Sequence, residues 1–215
     1  MSVLDWRSQQ KASGPVGEKP AGKLDRYGHL VVRERTAIDS ICLHQMAVAL
    51  GASTAAINAA KGDKDLARHR RALNVHAHVS AFIDGTVVLA YPLRAYVYHG
   101  NGANSRSIGL ECEGFYNGLP SGTGAEPAES LIAAAREACS AIVAEAAKEG
   151  ITIKHYVAHR QYAASRRADP GWAIWQKVGI DHCEKVIGLT PLLTLTDRDG
   201  KPIPSSWDRR SAGGY

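Results

Sequence analysis

Residues 74–93, NVHAHVSAFIDGTVVLAYPL, constrain the fold more than any other stretch of this chain. Two β-rich runs flank Asp84-Gly85, and Asp-Gly between such runs is the strongest short-range signal for a β-hairpin. A hairpin must bury a face, and the segments around it supply what it can be buried with. Ser107 to about Glu113 (SIGLECE) reads as a further strand. Side chains alternate faces along a strand, so Ile108, Leu110 and Cys112 point one way while Glu111 and Glu113 point the other. AEPAESLIAAAREACSAIVAEAAKEG then reads as a long alanine-rich helix. Pro127 lies near its start, Leu131, Ile132, Ala135, Ala138, Ile142 and Val143 are its apolar positions, and Gly150 is its stop.

Two more segments read as buried strands, and both end in a histidine. In TAIDSICLH, Ile38, Ile41 and Leu43 suggest a short strand closing at His44; ITIKHYVAH closes at His159. An amphipathic helix is expected from about Pro170 to Ile187. Residues 1–35, containing SGPVGEKPAGK, read as an extended, loosely packed arm, residues 36–188 as one domain, and residues 189–215 as an extension with a short hairpin at Asp199-Gly200.

At 215 residues and 45% hydrophobic content the chain is long enough for one well-buried core. The four cysteines, Cys42, Cys112, Cys139 and Cys183, never form a CxxC pair, which argues against a zinc ribbon or disulfide scaffold and for buried thiols. No apolar run has the length of a membrane span, and the first residues lack the apolar segment of a secretory signal. The formal charge of +5 gives a mild attraction to polyanions without choosing among them. The densest basic stretch, KGDKDLARHRRALN, also contains acids and reads as a solvated face; no nucleic-acid partner is expected.

Catalytic zinc needs three protein ligands of N, S or O type and one open position, a set that two imidazoles and a carboxylate can supply. His44, His159 and Asp169 are such residues. Asp169, followed by Pro170 and Gly171, also has the form of a helix N-cap, and a histidine at a strand end is commonly a hydrogen-bonded structural residue.

The ordered segments ICLH, AHVSAFIDGTVVLAYP, YHG, NSRSIGLE and AHRQYAASRRADPG resemble the zinc-dependent N-acetylmuramoyl-L-alanine amidases, a family that includes phage amidase lysozymes, muropeptide-recycling amidases and peptidoglycan recognition proteins. The matches span roughly residues 38–185. The resemblance implies an α/β fold with a mixed central β-sheet flanked by helices, a Zn2+ site at strand ends held by His44, His159 and Asp169, and a groove for a glycan and its stem peptide. It also implies hydrolysis of the amide between the lactyl group of N-acetylmuramic acid and L-alanine. In that reaction zinc lowers the pKa of a bound water to about 7 and polarises the carbonyl, while a carboxylate moves the proton to the leaving amine.

Glu111 falls on the family's acidic position in SIGLE, although strand alternation alone leaves Glu113 open. Arg167 stands where the family has a lysine, two residues before the aspartate; arginine can stabilise an oxyanion but stays charged and cannot donate a proton. His78, His99 and Asn104 also match family positions. For His78 the reading is a structural or ligand-supporting role. His99 and Asn104 read either as substrate contacts or as loop scaffolding, and Tyr98 as a groove wall or a packed aromatic.

The expected role is an endolysin-like enzyme acting on peptidoglycan after release from the cytoplasm. The alternatives are a cytoplasmic amidase that trims soluble muropeptides during recycling and a non-catalytic peptidoglycan-binding module. Retention of all three ligand residues argues against the last.

Overall fold

The computed structural model describes residues 2–9, 22–118, 125–192, 203, 206 and 207. Seven strands form one mixed sheet: β1 (Ser2–Asp5), β2 (Ser40–Gln45), β3 (Val79–Ala81), β4 (Thr86–Leu89), β5 (Ser107–Cys112), β6 (His155–Ala158) and β7 (Thr190–Pro191). Their spatial order is β1-β4-β3-β5-β2-β6-β7. Among these seven described strands β3 and β4 alone pair antiparallel, through the expected hairpin, whose turn uses Gly85 at φ 89°, a value that favours glycine. All the other pairs are parallel.

α3 (Glu129–Lys148) is the alanine-rich helix, ending before Gly150 as its sequence indicates. Its buried stripe, Leu131, Ile132, Ala134, Ala135, Ala138, Cys139, Ile142 and Ala146, meets Ile41, Leu43, Val79, Val87, Ile108 and Leu110 of the sheet in the main core. Burying each leucine or isoleucine there stabilises the fold by about 1.5–3 kcal/mol. α4 begins at Trp172–Ile174 and continues as a wider π-helical stretch, Trp175–Ile187, adding Ile174, Trp175, Val178 and Cys183 to the same core. All four cysteines are buried free thiols, as expected.

Strand alternation then sends the intervening residues to the opposite face. Cys42 and Val157 pack there with Ala103 and Tyr162, in a separate cluster from the residues under α3. His44 follows Cys42 by two positions and so shares its face.

Two short helices, α1 (Thr54–Ala59) and α2 (Lys64–His69), are capped by Ser53 and Asp63. The basic stretch expected to be a solvated face is only partly so. Arg68 of α2 pairs with Asp84 of the hairpin turn and with Glu113, and His69 Nε2 lies 2.8 Å from Asp84 Oδ2.

The loosely packed arm needs correction over its described parts. Ser2–Asp5 pairs in parallel with β4, and Trp6 is buried against Phe82 and Val88. Gly22 and Val32 bridge to Val97 and Ala95, and the Arg33 side chain is buried. SVLD is short and is followed by a polar stretch rich in glycine and proline, so only its pairing with a distant strand makes it β. Near the other terminus Ile203 and Trp207 are fully buried, with Trp207 Nε1 donating to the Gly118 carbonyl. The hairpin expected at Asp199-Gly200 lies outside the described residues.

Candidate metal centre and amidase site

The parallel register places the first two site residues side by side, His44 of β2 opposite Glu111 of β5. On the other flank Leu43 pairs with Ala158, so His159, the next residue after β6, emerges beside His44. Two histidines that end separate sequence segments thus lie at the same end of neighbouring strands. Nδ1 of His44 and Nδ1 of His159 are 3.0 Å apart.

Asp169 completes the group. The structure does not use it as an N-cap: α4 starts three residues later, at Trp172, with Gly171 in the N-cap position and no side-chain cap. Oδ1 of Asp169 instead accepts the Gln45 backbone N–H at 2.9 Å, which turns Oδ2 toward His159 Nδ1 at 2.9 Å and His44 Nδ1 at 3.9 Å. The Gln45 side chain fixes this loop further, donating to the Ala168 and Tyr116 carbonyls and accepting from Tyr116 N–H.

His44, His159 and Asp169 could therefore hold a metal ion. Tetrahedral zinc with bonds of about 2.0–2.1 Å separates its ligand atoms by about 3.3 Å. The observed separations of 3.0, 2.9 and 3.9 Å bracket that value. All three side chains are buried, and an imidazole–imidazole–carboxylate donor set suits a divalent ion of the zinc kind. A second group, Cys42, His44 and His99, also lies close enough for ligation. There, however, His44 Nε2 and His99 Nδ1 sit at hydrogen-bond distance, 3.0 Å.

The electrostatics follow from this crowding. Burial, with His159 alongside, pushes His44 down to about 4, so it is neutral near pH 7. For Asp169 burial acts upward, but the hydrogen bond from His159, with His44 close by, outweighs it and holds the carboxyl well below the usual range. Glu111 is pushed well above its ordinary value by burial and then by the Asp169 charge; Arg166 opposes that. Its Oε1 lies 4.0 Å from His44 Nδ1, and its Oε2 is buried without a hydrogen-bond partner. An orphaned carboxylate oxygen beside three convergent donor atoms is what a proton-transfer group awaiting a substrate requires.

The two glutamates differ in position. β5 ends at Cys112, and Glu113, only 1% exposed, turns its carboxylate into the α2–hairpin network. There Oε1 accepts from Leu50 N–H (2.8 Å), while Oε2 accepts from Ile83 N–H (2.9 Å) and Arg68 Nη1 (3.3 Å).

The remaining residues sort by contact. Asn104 Oδ1 accepts Gly100 N–H at 2.6 Å and scaffolds the loop. His99 is buried against His44, whereas Tyr98 is 46% exposed with its ring edge-on to Tyr96. His78 Nδ1 accepts the Gly109 N–H, which leaves its Nε2 to donate to the Ala95 carbonyl at 2.9 Å. Arg167 lines a cavity of about 150 Å³ together with Gln45, Phe115, Arg166 and Asp169. Arg166, a residue that motif counting passes over, also acts on Glu111 and His44 through its charge, after the larger effects of burial and Asp169 at Glu111 and of burial, His159 and Asp169 at His44. Sequence reasoning also did not single out Gln45 or Arg33. Gln45 carries a signal, an amide directly following a strand-end histidine; Arg33, inside the presumed arm, carries none.

Solved structures of similar fold include the ectodomain complex of peptidoglycan recognition proteins LCa and LCx bound to tracheal cytotoxin. It is 18% identical, with 88% of this chain and 98% of that chain covered and a TM-score of 0.50. Bumblebee PGRP-SA is 14% identical, with 83% and 94% covered and a TM-score of 0.50. The N-acetylmuramoyl-L-alanine amidase LysC from Clostridium intestinale is 16% identical, with 84% and 99% covered and a TM-score of 0.45. Among curated proteins none matches the sequence significantly. The family model described as N-acetylmuramoyl-L-alanine amidase matches residues 34–172, a span that runs from before β2 to the start of α4 and contains His44, Glu111, His159 and Asp169. On that match the chain belongs to the N-acetylmuramoyl-L-alanine amidase family.

Proposed function

We propose that this protein is a zinc-dependent N-acetylmuramoyl-L-alanine amidase, cleaving the amide between the lactyl group of N-acetylmuramic acid and L-alanine as an endolysin-like lytic enzyme. The observation that carries the reading is the meeting of His44 Nδ1, His159 Nδ1 and Asp169 Oδ2 with Glu111 Oε1 at 4.0 Å from His44. Family membership supports the same bond, and the similarly folded LCa–LCx complex was solved with tracheal cytotoxin bound.

In this reading His44, His159 and Asp169 hold the ion. When bound, zinc supplies Lewis acidity, polarising the amide carbonyl and making water a nucleophile near neutral pH. Glu111 accepts a proton from the attacking water at Oε1 and returns it to the leaving amine nitrogen, a role worth about 10² to 10⁴ in rate. Burial keeps bulk water from competing for that carboxylate and raises its proton affinity well above the ordinary value. Arg167 and Arg166, lining the cavity beside Asp169, supply positive charge for the developing oxyanion. His99 and His78 act behind the ligands, Asn104 shapes the loop, and exposed Tyr98 forms a wall for the glycan or stem peptide.

Mass spectrometry of intact sacculi and of soluble anhydromuropeptides after digestion tests the assignment. Peptides beginning at L-alanine, released from sacculi, are the expected products. Release from the small substrate alone would make this a recycling amidase, and binding without cleavage by the zinc-loaded protein would make it a binding module.

A further inference from the structure

Behind His44 lies a chain of hydrogen bonds whose direction is fixed at one end. His99 Nε2 is 3.2 Å from the Ser107 carbonyl oxygen, which can only accept. The His99 proton therefore sits on Nε2, and Nδ1 carries a lone pair. His44 Nε2 is 3.0 Å from that Nδ1, so neutral His44 must be protonated on Nε2 to donate to it. The remaining His44 nitrogen, Nδ1, then presents its lone pair to His159 and Asp169.

The anchor of this chain is itself held. The buried Arg33 guanidinium donates to the same Ser107 carbonyl at 2.6 Å, to the Asn104 carbonyl at 3.0 Å and to the Leu93 carbonyl at 2.5 Å. These carbonyls flank the loop that carries His99. Beneath the ring is Gly109, where an added Cβ would stand 2.6 Å from His99 Cγ, so the imidazole lies directly on β5 backbone. Gly109 N–H donates to His78 Nδ1, whose ring is edge-on to His99 with centroids 5.5 Å apart. His99 thus has a fixed place and a fixed proton.

We propose that His99 is a positioning residue for the metal centre, holding His44 as its Nε2–H tautomer so that Nδ1 faces the ion, with Arg33 and the Ser107 carbonyl setting the direction of the relay. The inference rests on the reading of His44, His159 and Asp169 as the zinc ligands. It also gives His44 Nε2 to His99, so that the nitrogen His44 offers to an ion is Nδ1, the one shared with His159 and Asp169.

The test uses the full chain with ¹⁵N-labelled histidine and Zn2+ titrated against a chelator. In the metal-free protein, long-range ¹H–¹⁵N spectra should show His44 protonated on Nε2 and His99 on Nε2, and Zn2+ should shift His44 Nδ1. His99→Leu removes the acceptor, and zinc affinity should fall by about 10- to 100-fold, the usual cost of losing such a partner. His99→Asn places a carbonyl oxygen near the former Nδ1 and should recover most of the loss, which a merely space-filling role for the ring would not produce. Circular dichroism and thermal melts establish that each variant is folded. Should His99→Leu fail to fold, the wild-type spectra and the asparagine variant still decide.

A metal-free His44 protonated on Nδ1, zinc shifting Nε2, or folded His99→Leu binding zinc as the wild type does would each overturn the proposal. Failure of the ligand reading looks different: His159→Ala would then bind zinc like the wild type, while the metal-free tautomers would still report on the relay.

Discussion

Replacing each of the two strand-end glutamates with glutamine should produce opposite phenotypes. Glu113 accepts two backbone N–H groups and one arginine N–H with two oxygens, and it is almost wholly buried. A glutamine can keep oxygen toward Leu50 or toward Ile83 but not both, so one buried N–H faces an NH₂ group. Leaving that donor unmet costs about 1–3 kcal/mol, and weakening the charge-assisted bond from Arg68 adds about 1–2 kcal/mol more. We expect Glu113→Gln to lose about 2–5 kcal/mol in urea unfolding, with near-normal turnover per folded, zinc-loaded molecule. Glu111 has one oxygen without a partner and the Asp169 carboxylate nearby, so the amide removes a like-charge repulsion and breaks no described hydrogen bond. Glu111→Gln should leave the metal-free stability unchanged or raised, retain zinc, and reduce muropeptide turnover by about 10²- to 10⁴-fold. A Glu113→Gln protein of wild-type stability with abolished turnover, beside an active Glu111→Gln, would refute the placement of both carboxylates.

Alanine at His44, His159 or Asp169 should each abolish stoichiometric zinc in elemental analysis while much of the fold persists, since the core under α3 does not involve them. Arg166→Ala and Arg167→Ala separate two neighbours on the cavity wall: whichever holds the oxyanion loses about 10²- to 10³-fold in kcat with zinc unchanged, and near-normal kcat in both variants would remove arginine from the mechanism. Trp207→Ala, which empties a fully buried site beneath Arg160, should cost about 3–5 kcal/mol in urea unfolding. Burial, reinforced by Arg33, holds His78 well below its ordinary value. In the metal-free protein its contribution is therefore complete above about pH 6.5 and is lost as pH falls, because the unfolded chain takes up the proton first. Urea unfolding at pH 7.5 and 5.5 should show a loss that His78→Asn, compared with its own stability at pH 7.5, reduces by about 1 kcal/mol.

The readable parts of the fold were those whose signals are local. Asp84-Gly85 fixes a hairpin through turn geometry over a few residues, and α3 declares itself through a 3.6-residue stripe closed by Gly150. Parallel pairing has no such signature. That β2 lies between β5 and β6 depends on contacts across more than sixty residues, and it is this order that brings His44, Glu111 and His159 together. The ordered motifs therefore named the group through family resemblance, where spacing alone left Asp169 as plausible a helix cap as a ligand. SVLD shows the converse: four residues with no pattern of their own become β1 because β4 offers an unpaired edge.

Alternation along a strand is a rule about ladders, and it stops deciding direction where the ladder stops. Glu111 is inside β5 and obeys it; Glu113 is one residue past the end, and its carboxylate goes to the nearest unpaired N–H groups instead of to the face that counting by twos assigns. The Arg166–Arg167 pair poses the same difficulty in a loop, where motif counting selects Arg167 while Arg166 is the neighbour whose charge opposes the rise at Glu111. Arg33 lies further beyond sequence reasoning, since nothing in LVVRER distinguishes an arginine that binds three buried carbonyls from one exposed to solvent. The proposed ligands are legible because metal chemistry restricts their types, whereas the residues proposed to aim them are restricted only by where a backbone carbonyl happens to fall. His99 stands between these cases: its motif position drew attention to it, and its proposed service to His44 rests on the direction of its hydrogen bond to Ser107, which no motif carries.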